Sequence, residues 1–182
     1  MWWQQSWLTV QAEFSDLGDV ESLTRLAVRM LVAIVLGGIL GYERESVGAS
    51  AGLRTHMLVS LGSALFVLIP LQAGMKIEDL SRVLQGITAG IGFLGAGAIL
   101  KQNNKGDIRG LTTAASVWLT AAVGIAAGMG REATAVLSAV FALVILAILR
   151  PLSKTEPVEH GASDAADRQH DQREYRGEGQ PQ

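Results

Sequence analysis

Apolar and polar positions along the chain are arranged in long blocks. Predominantly apolar stretches cover residues 26–42, 57–73, 83–100, 111–129 and 133–149, and the charges gather in the short segments between them. Each stretch is just under the roughly 20 residues needed to cross a hydrocarbon core as a helix. Hydrogen-bonding donors and acceptors of the backbone have no water to turn to there, so helix is the expected state of each. The pattern predicts an all-α membrane protein, a bundle of about five transmembrane helices.

The third stretch is the least ordinary. Gly86, Gly90, Gly92, Gly95 and Gly97 fall within twelve residues of a segment that carries no charge from Val83 to Leu100. In water each interior glycine costs a helix roughly 1 kcal/mol relative to alanine. In lipid the same residue lets a neighbouring backbone approach. At about 100° per residue, Gly86, Gly90 and Gly97 share one side, and Thr88, Gly92 and Gly95 share nearly the opposite one. Ile87, Ile91 and Leu94 lie between, positioned to face lipid. Two smooth sides predict neighbours on both, which makes this the expected central helix.

The fourth stretch places Thr113, Ser116, Thr120, Gly124 and Ala127 on one stripe with Trp118 turned away, an expected partner for the third stretch's glycines; Gly128 is a further glycine expected to serve helix packing. In the first, Ala33, Gly37 and Gly41 form a small-residue strip suited to close helix contact. Arg25 and Arg29 share a face from which they are expected to snorkel to headgroups. Pro70 predicts a kink or stop near the end of the second stretch. The last stretch, richer in Leu, Val and Ile, is expected at the lipid-facing periphery.

The ends differ in composition. Residues 1–22 lack the basic start and apolar core of a signal peptide, and Trp2, Trp3, Trp7, Val10, Phe14 and Leu17 suit one side of an interfacial helix. Residues 23–150 form the membrane domain. Residues 151–182 hold almost no large apolar side chain and are expected to be a disordered cytoplasmic tail. The 182-residue chain is 49% hydrophobic with a net charge of −2 and no cysteine, so no disulfide or thiolate chemistry is available and nothing points to nucleic acid.

Orientation follows from Lys and Arg near the spans. Arg25, Arg29, Lys76, Arg82 and Arg131 give five on the amino-terminal side; Arg44, Arg54, Lys101, Lys105, Arg109, Arg150 and Lys154 give seven on the other. The expected topology has the amino terminus outside and the carboxy terminus in the cytoplasm. The loops after the first and third spans then meet on the cytoplasmic side, bringing Glu43, Arg44, Glu45, Arg54 and His56 near Lys101, Asp107 and Arg109. Such charges can pair among themselves, and Asp107 is placed to cap the fourth helix.

Catalytic and metal templates are missing. No HExxH, GxSxG, P-loop or strand-linked GxGxxG occurs, and the sequence suggests no intramembrane serine with a buried His or Lys to activate it. His56 has no metal-ligating residue at i+4, which favours an interfacial hydrogen-bonding role over a zinc site. Glu43, Glu45, Glu78, Asp79, Asp107 and Glu132 all lie at span ends or in loops. An ion pathway usually places an ionisable group at mid-depth, although backbone carbonyls can also line a pore. No catalytic residue, metal site or cofactor is expected.

GGILGYERE (Gly37 to Glu45), GLRTHMLVSLGSALF (Gly52 to Phe66), GIGFLGAGAIL (Gly90 to Leu100) and RGLTTAASVWLTAAVGIAAG (Arg109 to Gly128) together resemble the MgtC/SapB family of bacterial inner-membrane proteins. The resemblance covers about residues 23–150. It implies five spans, an external amino terminus, and a role in adaptation to magnesium limitation or stress. The best-known members are linked to survival inside macrophages and are thought to bind and restrain the F-type ATP synthase. Carried over by motif, the residues implied to matter are Glu43, Arg44, Glu45, Arg54, Thr55, His56, Gly92, Gly95, Gly97, Asp107, Arg109, Gly110, Thr112, Thr113 and Trp118. Those members carry a soluble carboxy-terminal domain where this sequence continues as a polar segment. The expected partners are the bilayer and another membrane protein, and the glycine faces permit a homo-oligomer equally. A transporter or channel for magnesium or another small ion is the alternative.

Overall fold

The computed structural model describes residues 1–13, 19–100 and 110–148. Among these the secondary structure is helical: α1 (Trp2–Glu13), α2 (Val20–Ser46), α3 (Leu53–Gln72), a 3-10 turn (Ile77–Leu80), α4 (Ser81–Leu100), α5 (Leu111–Gly128) and α6 (Glu132–Ile148). α2, α3, α4 with its leading turn, and α5 are long and apolar enough to cross a membrane; α6, at 17 residues, is a shorter apolar helix. The expected tail and the loop 101–109, with Asp107 and Arg109, lie outside the described residues, as do Phe14 and Leu17.

Local chemistry sets the helix ends. Asp19, in extended conformation, accepts the Ser22 N–H at 2.6 Å and caps α2, with Glu21 in the first turn and Arg44 in the last complementing the macrodipole. Glu45, reaching across the α2–α3 turn, accepts the Leu53 N–H at 2.8 Å and supplies the cap that Gly52 lacks. Pro70 lies inside α3, which ends two residues later at Gln72. Gly110 starts α5 at φ +92, a left-handed conformation that favours glycine.

The core is a three-helix seam of α2, α3 and α5. α3 and α5 run in the same direction in direct backbone contact: a methyl built on Gly128 would lie 2.6 Å from the Ala64 carbonyl oxygen, and one on Gly124 would overlap the Ser60 carbonyl oxygen. α2 runs antiparallel to both. A methyl on Gly41 would meet Leu53 Cα at 2.7 Å, and one on Gly37 would meet the His56 carbonyl oxygen at 2.7 Å. Around these contacts Ala33, Leu36 and Leu40 of α2, Ala64 and Leu68 of α3, and Val123 and Ala127 of α5 share a core with Ala135, Ala139 and Ala142 of α6. α6 turns Val136, Leu137, Val140, Phe141, Val144 and Ile145 outward.

α4 departs from expectation. It stands at the edge of the bundle, attached to α5 through Ile87 and Ile91, which are buried with Val117 and Ala121 rather than facing lipid. Gly95 also touches α5, its built methyl 3.6 Å from Ala114 Cβ. Gly86, Gly90, Gly92 and Gly97 have open space where a side chain would be. The physical reason is that close packing needs small residues on only one of the two helices. Ala114 and Ala121 supply them on α5, so α4 contributes its bulky ridge and its glycines stay uncovered. The stripe Thr113, Ser116, Thr120, Gly124, Ala127 is buried as a unit, and Gly124 meets α3, not α4's glycines, because Ser60 and Ala64 offer a flatter surface than Ile87 and Ile91.

α1 is a helix with every residue exposed, Trp2, Trp3, Trp7 and Val10 lining one side.

Candidate functional site

Where α2 ends and α3 and α5 begin, the seam carries most of the buried polar groups among the described residues. Arg44 is only 6% exposed. Its guanidinium donates twice to the adjacent Glu43, Nε to Oε2 at 2.6 Å and Nη2 to Oε1 at 2.9 Å. A desolvated guanidinium is tolerable only when so paired. Glu45 is spent on the α3 cap, and a methyl on Gly52 would lie 2.6 Å from its Oε2.

One turn into α3, His56 is fully buried. Gly41 makes room for it, since a methyl there would come within 2.9 Å of its Cβ. His56 Nδ1 lies 2.9 Å from the Gly52 carbonyl oxygen, which can only accept, so Nδ1 carries a proton. Nε2 lies 3.2 Å from Ser116 Oγ on α5. The Ser116 hydroxyl in turn sits 2.8 Å from the Thr113 carbonyl oxygen, and Thr120 Oγ1 donates to the Ser116 carbonyl at 2.8 Å. One turn beyond His56, Ser60 Oγ is buried with no hydrogen-bond partner.

This overturns the reading that no intramembrane serine meets a histidine. His56 and Ser116 are 60 residues apart in sequence, and only the parallel pairing of α3 with α5 brings them together. The pair is sealed, with His56 at 0% and Ser116 at 7% exposure, so it has no surface open to a substrate, which a nucleophile requires.

Of the sequence-predicted residues, the structure gathers Glu43, Arg44, Glu45, His56 and Thr113 at this end of the seam, and Gly37 and Gly41 hold α2 against it. Arg54, Thr55 and Thr112 are exposed. Trp118 is half exposed on the far side of α5, over a small cavity shared with Ile87, Thr88 and Ile91 of α4. Ser60 and Ser116 are the functional candidates that sequence reasoning passed over. The signal for Ser60 was its i+4 spacing from His56 on the small-residue face of α3.

At the opposite end Arg29 does not snorkel outward. It donates from Nη1 to the Gly128 carbonyl at 3.3 Å, with Glu132 Oε1 3.9 Å from Nε, and Gly130 is pressed against the guanidinium. The free carbonyl of Gly128 at the end of α5 captures it, while Arg25 pairs with Glu21 at 2.5 Å. Between α3 and α4 an apolar cleft of about 670 Å³ is bordered by Leu58, Gly62 and Phe66 on one side and Gly86, Gly90 and Leu94 on the other. Among the described residues no three His, Asp or Glu side chains group as a metal site.

Fold and site together define a multi-pass all-α membrane protein in contact with the bilayer, with its polar chemistry locked between three helices. The chain belongs to the MgtC family, whose sequence profile matches residues 30–155. It is 41% identical over 140 residues to protein SrpB of Synechococcus elongatus, an alignment covering 71% of this chain and 77% of that one. It is 42% identical over 132 residues to protein MgtC of Brucella abortus, covering 71% of this chain and 53% of that one. A third relative, named "Putative magnesium transporter YhiD" in Escherichia coli, is 37% identical over 133 residues, 69% of this chain and 61% of that protein. The alignment thus spans between half and three-fifths of the latter two. No solved structure matches the chain.

Proposed function

We propose that this protein is a non-enzymatic regulator in the bacterial inner membrane, with its amino terminus outside and its carboxy terminus in the cytoplasm. On this reading it acts in adaptation to magnesium limitation or stress by laying α4 against a helix of another membrane protein. The observation that carries the reading is the uncovered face of α4: Gly86, Gly90 and Gly97 have nothing within 4 Å, in a helix apolar enough to span the bilayer. Small residues at such a face let a second helix approach to backbone distance. The F-type ATP synthase is the candidate partner by family resemblance. Affinity purification of the tagged chain in mild detergent should recover a stoichiometric membrane partner that Gly90→Leu releases. Recovery of the chain alone in repeated preparations overturns the proposal.

A transporter or channel for magnesium or another small ion is the second reading, supported by the name of the Escherichia coli relative and by the polar groups that α2, α3 and α5 bury between them. Reconstitution into liposomes loaded with a magnesium-sensitive dye separates the two, since a silent protein removes transport.

A further inference from the structure

The hydrogen bonds around His56 cannot all be made by a neutral ring. Nδ1 must carry a proton to serve the Gly52 carbonyl at 2.9 Å. If the ring is neutral, Nε2 is an acceptor and needs the one hydroxyl proton of Ser116, 3.2 Å away. That proton is then withdrawn from the Thr113 carbonyl, which lies closer to Ser116 Oγ, at 2.8 Å. If the ring is an imidazolium, Nε2 donates to Ser116 Oγ, the hydroxyl donates to Thr113, and all three contacts are satisfied together. Nε2 thus has a partner in either protonation state, and rotation of one hydroxyl decides whether the Thr113 carbonyl keeps its own.

We propose that His56 is a proton-binding site, in which Ser116 turns its hydroxyl from the ring to the Thr113 carbonyl when Nε2 takes up a proton. An N–H bond forms at Nε2 with a proton from the aqueous phase, the Ser116 O–H bond only rotates, and the net change is one positive charge inside the seam. Among the described residues the charged groups in electrostatic reach are Glu43 and Arg44, both on α2, and Glu45, also on α2, is held in the α3 cap beside Gly52. α5 faces the ring with hydroxyls and contains no titratable residue from Leu111 to Gly128, and Arg54 on α3 is exposed. The new charge therefore competes with Arg44 for the carboxylate of Glu43. Proton occupancy is thereby coupled to the Glu43–Arg44 ion pair at the end of α2. Because all of this is internal to the chain, it stands whether or not the partner-binding reading holds.

The test is nitrogen NMR of the full-length protein, labelled with 15N-histidine, in lipid nanodiscs. Only His56, His160 and His170 contribute, and His56→Asn identifies the ring of interest. At high pH His56 should show a protonated Nδ1 and a bare, hydrogen-bonded Nε2, converting to a doubly protonated ring in one transition as pH falls. Ser116→Ala removes the acceptor that the imidazolium uses, so its transition should move to lower pH by about one unit, and Ser116→Thr should restore it. A bare Nδ1, or a ring unchanged between about pH 4 and 9, overturns the proposal on the parent protein alone. Ser116→Ala titrating like the parent, with helix content intact by circular dichroism, overturns the role of the hydroxyl.

Discussion

Alanine substitution at glycine separates the two glycine faces of this fold. At Gly124 the added methyl would lie 2.9 Å from Ser60 Cα, 2.8 Å from its carbonyl carbon and closer still to the oxygen. These are backbone atoms of a packed helix, and no rotamer change relieves them. To bring the oxygen as well to ordinary contact at 3.4 Å or beyond, α3 and α5 must part by about an ångström, which forfeits roughly half of the dispersion at each contact along their shared length. The expected cost is about 1–3 kcal/mol, the usual range for overpacking. At Gly90 the same methyl meets nothing within 4 Å, so its effect should stay within about 0.5 kcal/mol, typical of a surface change. A difference near 2 kcal/mol is roughly a thirtyfold change in the folding equilibrium. Titration of both variants from mild detergent into sodium dodecyl sulfate, followed by circular dichroism, measures it. Equal losses, or a larger loss at Gly90, would refute the claim that the α3–α5 seam is the core and α4's glycine face is open.

Other outcomes follow from single sites. Ser60→Ala removes a buried hydroxyl that has no partner, so it should leave stability unchanged or raise it by about 1 kcal/mol in the same titration. Gly110→Ala forces a left-handed residue and sets a methyl 2.8 Å from the Ala98 carbonyl oxygen; a loss of about 1–3 kcal/mol is expected, read as a lowered melting temperature. The Asp19 carboxylate is held below its ordinary 3.8 chiefly by the bond from Ser22. A depressed folded-state value means that its contribution is complete above the unfolded value and lost as pH falls through the lower one. Protection of the first-turn amides of α2, measured against intrinsic exchange at each pH, should accordingly fall only in acid, and Asp19→Asn should remove that fall.

Most of the helices were legible in the sequence because lipid leaves the backbone no alternative, and apolar blocks bounded by charge mark where each begins and ends. Gly37 and Gly41 were legible too, as a strip at fixed spacing on α2. What the pattern could not say is which smooth face meets which. α4 has more glycines than α5, yet α5 is the buried helix, because its small residues face an equally flat α3 while α4 offers Ile87 and Ile91 to Ala121. Glycine density measures how close a neighbour can come, and the shape of that neighbour decides whether it does. The His56–Ser116 contact was hidden for a related reason: it depends on the parallel register of two helices separated by a third.

Disulfide bridging in native membranes tests this arrangement most directly, and the chain's lack of cysteine gives a clean background. A β-carbon added at Gly95 would lie 3.6 Å from that of Ala114, inside the roughly 3.5–4.5 Å that a disulfide spans. Gly95→Cys with Ala114→Cys should bridge within one chain on mild oxidation, while Gly90→Cys with Ala121→Cys should not. Bridging of the second pair in place of the first would put α4's glycine face against α5 and contradict the account.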